Sequence, residues 1–403
     1  MKPGWEIKKL GEVADVGAGN SAPQKKELFE NGKFPFFRTS DVGQIRKGFI
    51  ETSVDYLNDK GIKGLKLFQK GTILFPKSGA STFLNHRVMM NVDGYVSSHL
   101  ATIKAKSQIA DDRFLLYYLI TIDAKDLMQD IAYPSLKTSD IGLIPIPLPP
   151  LSEQQRIVSI LDEAFAAIAK AKANAEQNLR NAKELFESYL QGVFKKKGEG
   201  WEEKKLGEVL VKTETVDPTK NPDTEFTYLD VSSVNKETKE IETPTVLIGK
   251  DAPSRAKKLI RTSDVIFATV RPTHSRVALI PEEFDEQVCS TGYFVLRTKE
   301  NVNNKLVFYF LLTKGFNEQM EKLQKGASYP AVTDNDVKGI LFRFPKSLKQ
   351  QQTIVRQLDA LRAETQKLEA VYKKKIDDLE ELKKSILDKA FKGEFKTEKA
   401  VVI

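Results

Sequence analysis

The amino-acid sequence predicts an α+β chain in which two similar, mixed globular domains are related by pseudo-twofold symmetry. A long antiparallel two-helix coiled coil separates them. Three observations predict this. Residues 4–13, Gly-Trp-Glu-Ile-Lys-Lys-Leu-Gly-Glu-Val, return 196 positions later as residues 200–209, Gly-Trp-Glu-Glu-Lys-Lys-Leu-Gly-Glu-Val. The echo is collinear to the far end of each half: Tyr133-Pro134 returns as Tyr329-Pro330, Asp140-Ile141 as Asp336-Val337, and Gln154-Gln155 as Gln351-Gln352 after a one-residue slip. In each half, short apolar runs between turn residues give way to one long run with heptad spacing. The period is too long for a solenoid, and each half is large enough to be a domain. The expected boundaries are 1–150 for the first globular domain, 151–195 for the first long helix, 196–347 for the second domain, and 348–403 for the second long helix and tail.

The elements follow in order. Thr72–Phe75, between Gly71 and Pro76, and Leu100–Ile103 read as strands, and Phe114–Ile120 reads as a buried helix. Pro145, Pro147, Pro149 and Pro150 make an extended exit that cannot join a helix. Ser152 with Gln155 resembles a capping box. In the second half, Asp264–Val270 and Val295-Leu296 read as strands and Leu306–Leu312 as the matching helix.

From Ile157 a 4-3 spacing selects Leu161, Ala164, Ile168, Ala171, Ala175, Asn178, Ala182, Leu185 and Tyr189. The second seam runs Ile354, Leu358, Leu361, Thr365, Leu368, Tyr372, Lys375, Leu379, Leu382 and Ile386. The first seam is rich in alanine and the second in large residues, so Leu161, Ala171, Ala175 and Ala182 are expected to pack with Leu361, Leu368, Tyr372 and Leu382. The first helix would be about 60 Å long, the following linker reaches only about 20 Å, and a domain of this size is roughly 40 Å across. Only an antiparallel pair lets the second domain close that path, which sets Ala171 opposite Tyr372 and Ala182 opposite Leu361.

The composition excludes several classes of function. No apolar run reaches the ~20 residues of a membrane span, and no secretory leader opens the sequence, so a cytoplasmic protein without a membrane partner is expected. Cys289 is the one cysteine and reads as a small buried residue in a strand. With three histidines and no ligand spacing, neither a metal nor any other cofactor is expected. No Gly-x-x-x-x-Gly-Lys-Ser/Thr loop is present, nor an Asn/Asp-Pro-Pro-aromatic tetrapeptide, nor a duplicated Asp/Glu-Lys constellation. The chain therefore reads as non-catalytic, a binding and positioning subunit.

The net charge is +8. From Lys60 to Ala110 there are eight Lys/Arg against Asp93, and Arg255, Lys257, Lys258, Arg261, Arg271 and Arg276 stand against Asp264 in the second half. Basic stretches at matching places suggest a nucleic-acid partner. A protein–protein scaffold whose basic loops meet acidic partners is the alternative.

Leu148-Pro-Pro-Leu-Ser-Glu-Gln-Gln-Arg-Ile157 ahead of a long helix resembles the motif that ends each recognition domain in the DNA-specificity (S) subunits of type I restriction–modification systems. Phe344-Pro345 to Ile354 is a degraded second copy, and the Gly-Trp-x-x-x-x-Leu-Gly-Glu-Val openings are equally typical. Lys70–Phe75 and Ser263–Ile266 resemble the family's Gly-Asp-Ile-Leu strand. The resemblance implies two target-recognition domains, each reading one half of a bipartite, asymmetric site in double-stranded DNA. It implies helices that set the spacer and dock two modification (methyltransferase) subunits, with motor/nuclease restriction subunits completing the full complex. Adenine methylation and cleavage would belong to those partners. Polar and basic residues in Gly/Pro-flanked loops are the candidates for DNA contact: Arg38, Lys77, Ser78, Arg87, His99 and Lys137 in the first domain, and Arg271, His274, Arg276, Thr291 and Tyr293 in the second. Tyr133 and Tyr329, each before a proline, are expected to be structural.

Overall fold

The computed structural model describes residues 4–128, 134–195 and 199–395, so Tyr133 lies outside the described residues. The chain divides into two compact units, Met1–Ala175 with Lys374–Ile403, and Glu176–Lys373. Each unit holds one mixed domain, the N-terminal stretch of one long helix and the C-terminal stretch of the other. The long helices are Leu151–Lys195 and Leu348–Phe391.

In the first unit, a five-stranded sheet runs in the order Ala14–Ala18, Leu100–Ala105, Ile73–Pro76, Arg87–Met90, Lys47–Ile50. A three-stranded sheet of Asp55–Leu57, Phe34–Phe37 and Tyr95–Val96 flanks it. The repeated opening is a strand and a turn: Glu6–Lys9 pairs antiparallel with Pro145–Leu148, and Leu10 N–H then donates to the Ile144 carbonyl at 2.8 Å. Such a ribbon tolerates Pro145 and Pro147, because residues two apart turn their backbone nitrogens to the same edge. In the second unit the same roles fall to Trp201–Lys205 with Leu341–Pro345, and to Leu206 N–H on the Ile340 carbonyl, also at 2.8 Å. Its sheets are Val277–Leu279, Val265–Ala268, Tyr293–Leu296 and the four-stranded Thr245–Ile248, Glu225–Leu229, Val288–Ser290, Ala256–Leu259. Cys289 is buried in a strand of the latter, and burial pushes its thiol up to about 12.

The domain and its helix stretches share one core. In the first unit, Ile157, Val158, Leu161, Leu387 and Ala390 pack with Phe114 and Leu115 of the helix Asp112–Leu119. Phe391 sits edge-on to Phe114 and Tyr118. In the second unit, Leu190, Val193, Val355 and Leu358 join Phe308 and Phe310 of Asn304–Leu311, with Phe194 edge-on to Phe310. The aromatic stripes of the two short helices are core material, as expected.

Two polar clamps recur, with their long-helix residues at the 197-residue offset and their partners Asp111 and Tyr117 matched 192 residues on by Asn303 and Tyr309. Buried Gln154 accepts from Asp111 N–H at 2.9 Å and donates to the carbonyls of Ile109 and Pro149. Buried Gln351 accepts from Asn303 N–H at 2.8 Å and donates to those of Asn301 and Pro345. Each glutamine satisfies three backbone groups, of which the Pro149 or Pro345 carbonyl would otherwise be buried unpaired. Further along, Tyr117 donates to Asp162 at 2.5 Å beside Arg113, and Tyr309 donates to Asp359 at 2.6 Å beside Lys305. Burial, and then the carboxylate, push Tyr117 up to about 12. Tyr309 is raised by the same causes.

In the first unit, the neighbours on the second helix fall from Lys383 to Glu380 as the first helix advances from Phe165 to Lys172, so the two stretches run antiparallel. In the second unit, Tyr189 donates to Gln357 at 3.0 Å. Two expectations need correction. Ser152 is not an N-cap, because the helix already begins at Leu151. The seam also leaves its heptad spacing. Leu161, Ile168, Ala175 and Ala182 are buried, but the next buried residues are Leu190 and Val193, and Leu185 is 53% exposed. The second helix does the same: Leu358 and Thr365 are buried, then Leu387 and Ala390, while Leu382 is 47% exposed. Leu382 is therefore not a packing residue. Ala171, Leu361, Leu368 and Tyr372 are half-buried. An α-helix drifts about 20° per heptad from a 3.5-residue repeat, so over four heptads the buried stripe moves nearly one residue along.

Candidate nucleic-acid interface

One end of the five-stranded sheet gathers the first domain's candidates. The strand Ile73–Pro76 leaves the sheet there as Lys77-Ser78, beside the start of Leu100–Ala105. Lys77 N–H donates to the His99 carbonyl at 3.1 Å, and Leu136 N–H to the Lys77 carbonyl at 2.7 Å. Gly79 N–H donates to the Pro134 carbonyl at 2.9 Å, and Ser78 bridges Ser135. Three distant segments thus cross at one point. They bring together Lys77, Ser78, His99 and Lys137, of which His99 and Lys137 are exposed. The Ser78 hydroxyl and His99 Nδ1 lie 2.8 Å apart.

The second domain builds the same crossing from other residues. Thr269 N–H donates to the Gly292 carbonyl at 2.8 Å, Val332 N–H to the Thr269 carbonyl at 2.9 Å, and Arg271 N–H to the Pro330 carbonyl at 2.7 Å. Arg271 occupies the place of Gly79, and both have positive φ, but Gly79 is extended in ψ (φ 75°, ψ −175°) whereas Arg271 is left-handed helical (φ 49°, ψ 57°). For an arginine that conformation costs about 1–2 kcal/mol. Its guanidinium lies 5.3 Å from the ring of Tyr329, which is 72% exposed. His274, in the 3-10 turn that follows Arg271, and Thr291 are exposed at the same crossing. Tyr329 is not the structural residue expected from its repeat and its proline. Its neighbour Pro330 is the structural member of the pair, and the tyrosine ring stands in solvent.

The structure removes other candidates from this surface. Arg87 is buried, with its guanidinium 3.3 Å from the Phe75 ring centre and Nη1 donating to the His86 carbonyl. Burial pushes it down to about 9, against Asp123. Tyr293 is also buried, donating its hydroxyl to the carbonyls of Asp230 and Val231. Their sequence neighbours gave each a loop-like setting, but both begin strands whose side chains turn inward. Arg276 is spent on the carbonyls of Ser232 and Val234. Arg38 is half-buried, paired with Asp55 at 2.5 Å and lying over Phe36, so its charge is spent although its strand pairs with the segment that leads into His99.

Two copies of one crossing with unlike side chains at its tip have a counterpart among known proteins. Residues 2–177 and 198–378 match the family described as type I restriction modification DNA specificity domain. The chain belongs to this family. The MjaIX specificity subunit of Methanocaldococcus jannaschii is 32% identical over 170 residues, 41% of this chain and 38% of that protein. The MjaVIII specificity subunit of the same organism is 21% identical across 97% of this chain and 93% of its own. The HsdS subunit from Thermoanaerobacter tengcongensis shares the fold with a TM-score of 0.62 at 21% identity, covering 98% of each chain. A chain from a structure of type I R-M complex assembly and conformational transition shares it with a TM-score of 0.77 at 20% identity, covering 98% of this chain and 99% of that one.

For a DNA-binding specificity subunit, charge left unpaired in space matters more than charge in a sequence window. In the second domain Lys257 pairs with Asp217 at 2.8 Å, Lys258 with Asp334 at 2.9 Å and Arg261 with Glu214 at 3.3 Å. The hydrogen bond from Lys257 is the first cause that holds Asp217 down at about 2. Arg297 grips buried Asp264 through two nitrogens. Three of the six cations of that basic stretch are thereby neutralised by acids from elsewhere, and Arg271 and Arg255 are left exposed without an ion pair among the described residues. Among the described residues no helix is long and apolar enough to cross a membrane, and no group of His, Cys, Asp and Glu could hold a metal ion.

Proposed function

We propose that each domain reads one half of a bipartite site in double-stranded DNA through its crossing, and that the long helices fix the spacer. The observation that carries this reading is that the two crossings share their backbone hydrogen bonds and differ in side chain. A fixed frame with exchangeable tips is what two independent half-sites require. On it, Ser78 with His99 can hydrogen-bond base edges in the first half-site. Arg271, held in its left-handed conformation and stacked on Tyr329, suits the O6/N7 edge of guanine in the second. Lys77, Lys137, His274 and Thr291 supply phosphate and positioning contacts.

The helices also dock two modification subunits, which carry out adenine methylation. Motor/nuclease subunits join them in the full complex. Leu185 and Leu382 support the docking, being exposed leucines at the same place in the two repeats. Two equivalent partners need two equivalent apolar spots.

Methylome sequencing of cells that carry this chain with a modification subunit tests the reading. Arg271→Ala should relax one half of the recognised sequence and leave the other intact, and Ser78→Ala with His99→Ala should do the converse. One heptad inserted after both Ala171 and Leu368 should lengthen the spacer by about 10 Å of helix, roughly 3 bp, with both half-sites kept. If either point variant altered both half-sites, or the insertion changed their sequences, the reading would fail.

A further inference from the structure

The first domain carries a second group of polar residues at the sheet end that holds Ser78 and His99. Lys47–Ile50 runs parallel to Arg87–Met90, with Lys47 opposite Arg87 and Arg87 N–H donating to the Arg46 carbonyl. Ile73–Pro76 pairs antiparallel with Arg87–Met90, so His86 stands level with the point where Lys77 and Ser78 leave. His99, Ser78, His86 and Lys47 therefore mark four successive strands along one sheet end. At about 4.8 Å per strand the row is roughly 15 Å long. At its far end the second long helix brings Lys383 and Lys384 close enough to act electrostatically on Lys47.

This group lacks counter-charge. Among the described residues, Arg46, Lys47 and Lys384 have no carboxylate within ion-pair distance, and Lys383 lies over the Phe165 ring. The acids that face the group are Glu380 and Asp123. Glu380 is bonded to Lys172 at 2.5 Å, and Asp123 accepts from Asn85 and from Lys125 N–H. The strain of crowding shows in the charges themselves. Burial, then Lys383, Lys384 and Arg87, lower the Lys47 amine, and burial, then Arg46, Arg87 and Lys47, lower His86. Arg46 also holds a positive φ of 68° with ψ of −58°, a rare and strained turn for a residue other than glycine. Cations gathered from two distant parts of the chain, Arg46, Lys47 and Lys384 of them exposed, are expected to meet an anion.

We infer that Arg46, Lys47, Lys383 and Lys384 seat the phosphate backbone of the DNA where it leaves the first half-site and enters the spacer. The inference rests on the proposed DNA reading and adds to it a fixed backbone contact on one side only. Continuity decides the partner. The group lies in one row with the base-reading tip, and the major groove is about 12 Å wide, so phosphates that border a groove read by Ser78 and His99 fall at about the right distance. In the second domain the corresponding cations, Lys239 and Arg276, are turned onto carbonyls instead, Lys239 donating to Ser275 and Lys236 and Arg276 to Ser232 and Val234.

The test uses the full chain and a random-sequence duplex, with affinity followed across a salt series. The variant Arg46→Gly/Lys47→Gln/Lys384→Gln removes three cations without touching a core residue, and glycine suits the φ at position 46. The slope of log affinity against log salt should become shallower by about 0.9 for each phosphate that is no longer neutralised, a little under three in all. Affinity near physiological salt should fall at least tenfold. Ser78→Ala with His99→Ala should leave that slope unchanged on the same random duplex. A triple variant with the parental slope, in a chain that binds DNA and keeps its parental melting temperature, would overturn the inference. So would an unchanged slope with lost binding to the modification subunit, which would make the group a protein-docking surface. Failure of the parental chain to bind any duplex would instead overturn the DNA reading itself.

Discussion

In the first domain, the residue that turns the chain after Ser78 is Gly79, and the exposed chemistry is a hydroxyl paired with an imidazole. In the second, the turn at that place is made by Arg271, and the exposed chemistry is a guanidinium over a tyrosine ring. The hydrogen bonds beneath are the same in both, donated to the Pro134 or Pro330 carbonyl and accepted from the segment that follows. The domains also differ in charge pairing. Acids outside the basic stretch of the second domain neutralise much of it, whereas a group of unpaired cations lies beside the reading tip of the first. Duplication thus preserved what holds the tip and released what the tip presents. A backbone crossing depends on no particular side chain beyond proline and glycine geometry, so its exposed residues can change without loss of the fold.

The strongest way to break this comparison is to attack the shared frame. Gln154→Leu and Gln351→Leu should each leave one buried and two partly buried backbone groups without their protein partner, at a cost of about 2 kcal/mol or more. If the frames are equivalent the two costs should agree, each read from the denaturation of the domain concerned by hydrogen exchange. A large cost in one copy alone would show that the repeats are no longer held in the same way.

The tyrosine–aspartate clamps give a smaller effect with a defined pH sign. A tyrosine raised in the folded state keeps its full contribution below its unfolded pKa near 10 and loses it as pH rises toward the folded value. Stability of the first unit should therefore fall between about pH 10 and 12, the latter being where Tyr117 is held. Tyr117→Phe should flatten that fall, and Tyr309→Phe should do the same in the second unit. Alkaline melts that show no difference between Phe variants and parent would remove the clamps from the frame.

Arg271→Gly sharpens the contrast at the tip itself by giving the second domain the first domain's residue. Glycine takes a left-handed φ freely, so stability should rise by about 0.5–1 kcal/mol. Recognition of the second half-site should weaken by about 1–3 kcal/mol, roughly five- to 150-fold. Opposite signs in melting temperature and in methylation of that half-site would separate reading from folding. Loss of both together would place Arg271 in the frame.

The sequence made the frame legible because it is written twice. The openings at Gly4 and Gly200, the glutamines in the first turn of each long helix and the paired short helices all announced equivalent elements, and each is built as its copy is. The tips were half legible. Ser78 and Arg271 sit at turns marked by glycine or proline, whereas Arg87 and Tyr293 begin strands, and a period of two cannot say which face is inward from one residue. Tyr329 was hidden by its own repetition, since the neighbouring proline supplied a structural reason that the tyrosine does not share. Charge pairing was not legible at all. Asp217 and Glu214 lie some forty residues from the lysines and arginines they neutralise, and no window of sequence brings them together.

The smallest effect on stability, and the most pointed, belongs to the long helices. Heptad spacing places Leu185 and Leu382 in the buried seam, where a charge would cost several kcal/mol. Their exposure at equivalent positions predicts the reverse, that Leu185→Glu and Leu382→Glu each change stability by less than about 0.5 kcal/mol. Leu387→Ala, one turn beyond Leu382 and buried in the first unit's core, should cost about 2–4 kcal/mol and serves as the contrast. If the exposed leucines are the docking spots for the modification subunits, each glutamate should remove one of the two bound copies and the double variant both, with the melting temperature unmoved. Sedimentation of the mixed subunits counts the copies directly. Full assembly with both glutamates in place would assign docking to another surface, and a collapse in melting temperature would restore the heptad seam.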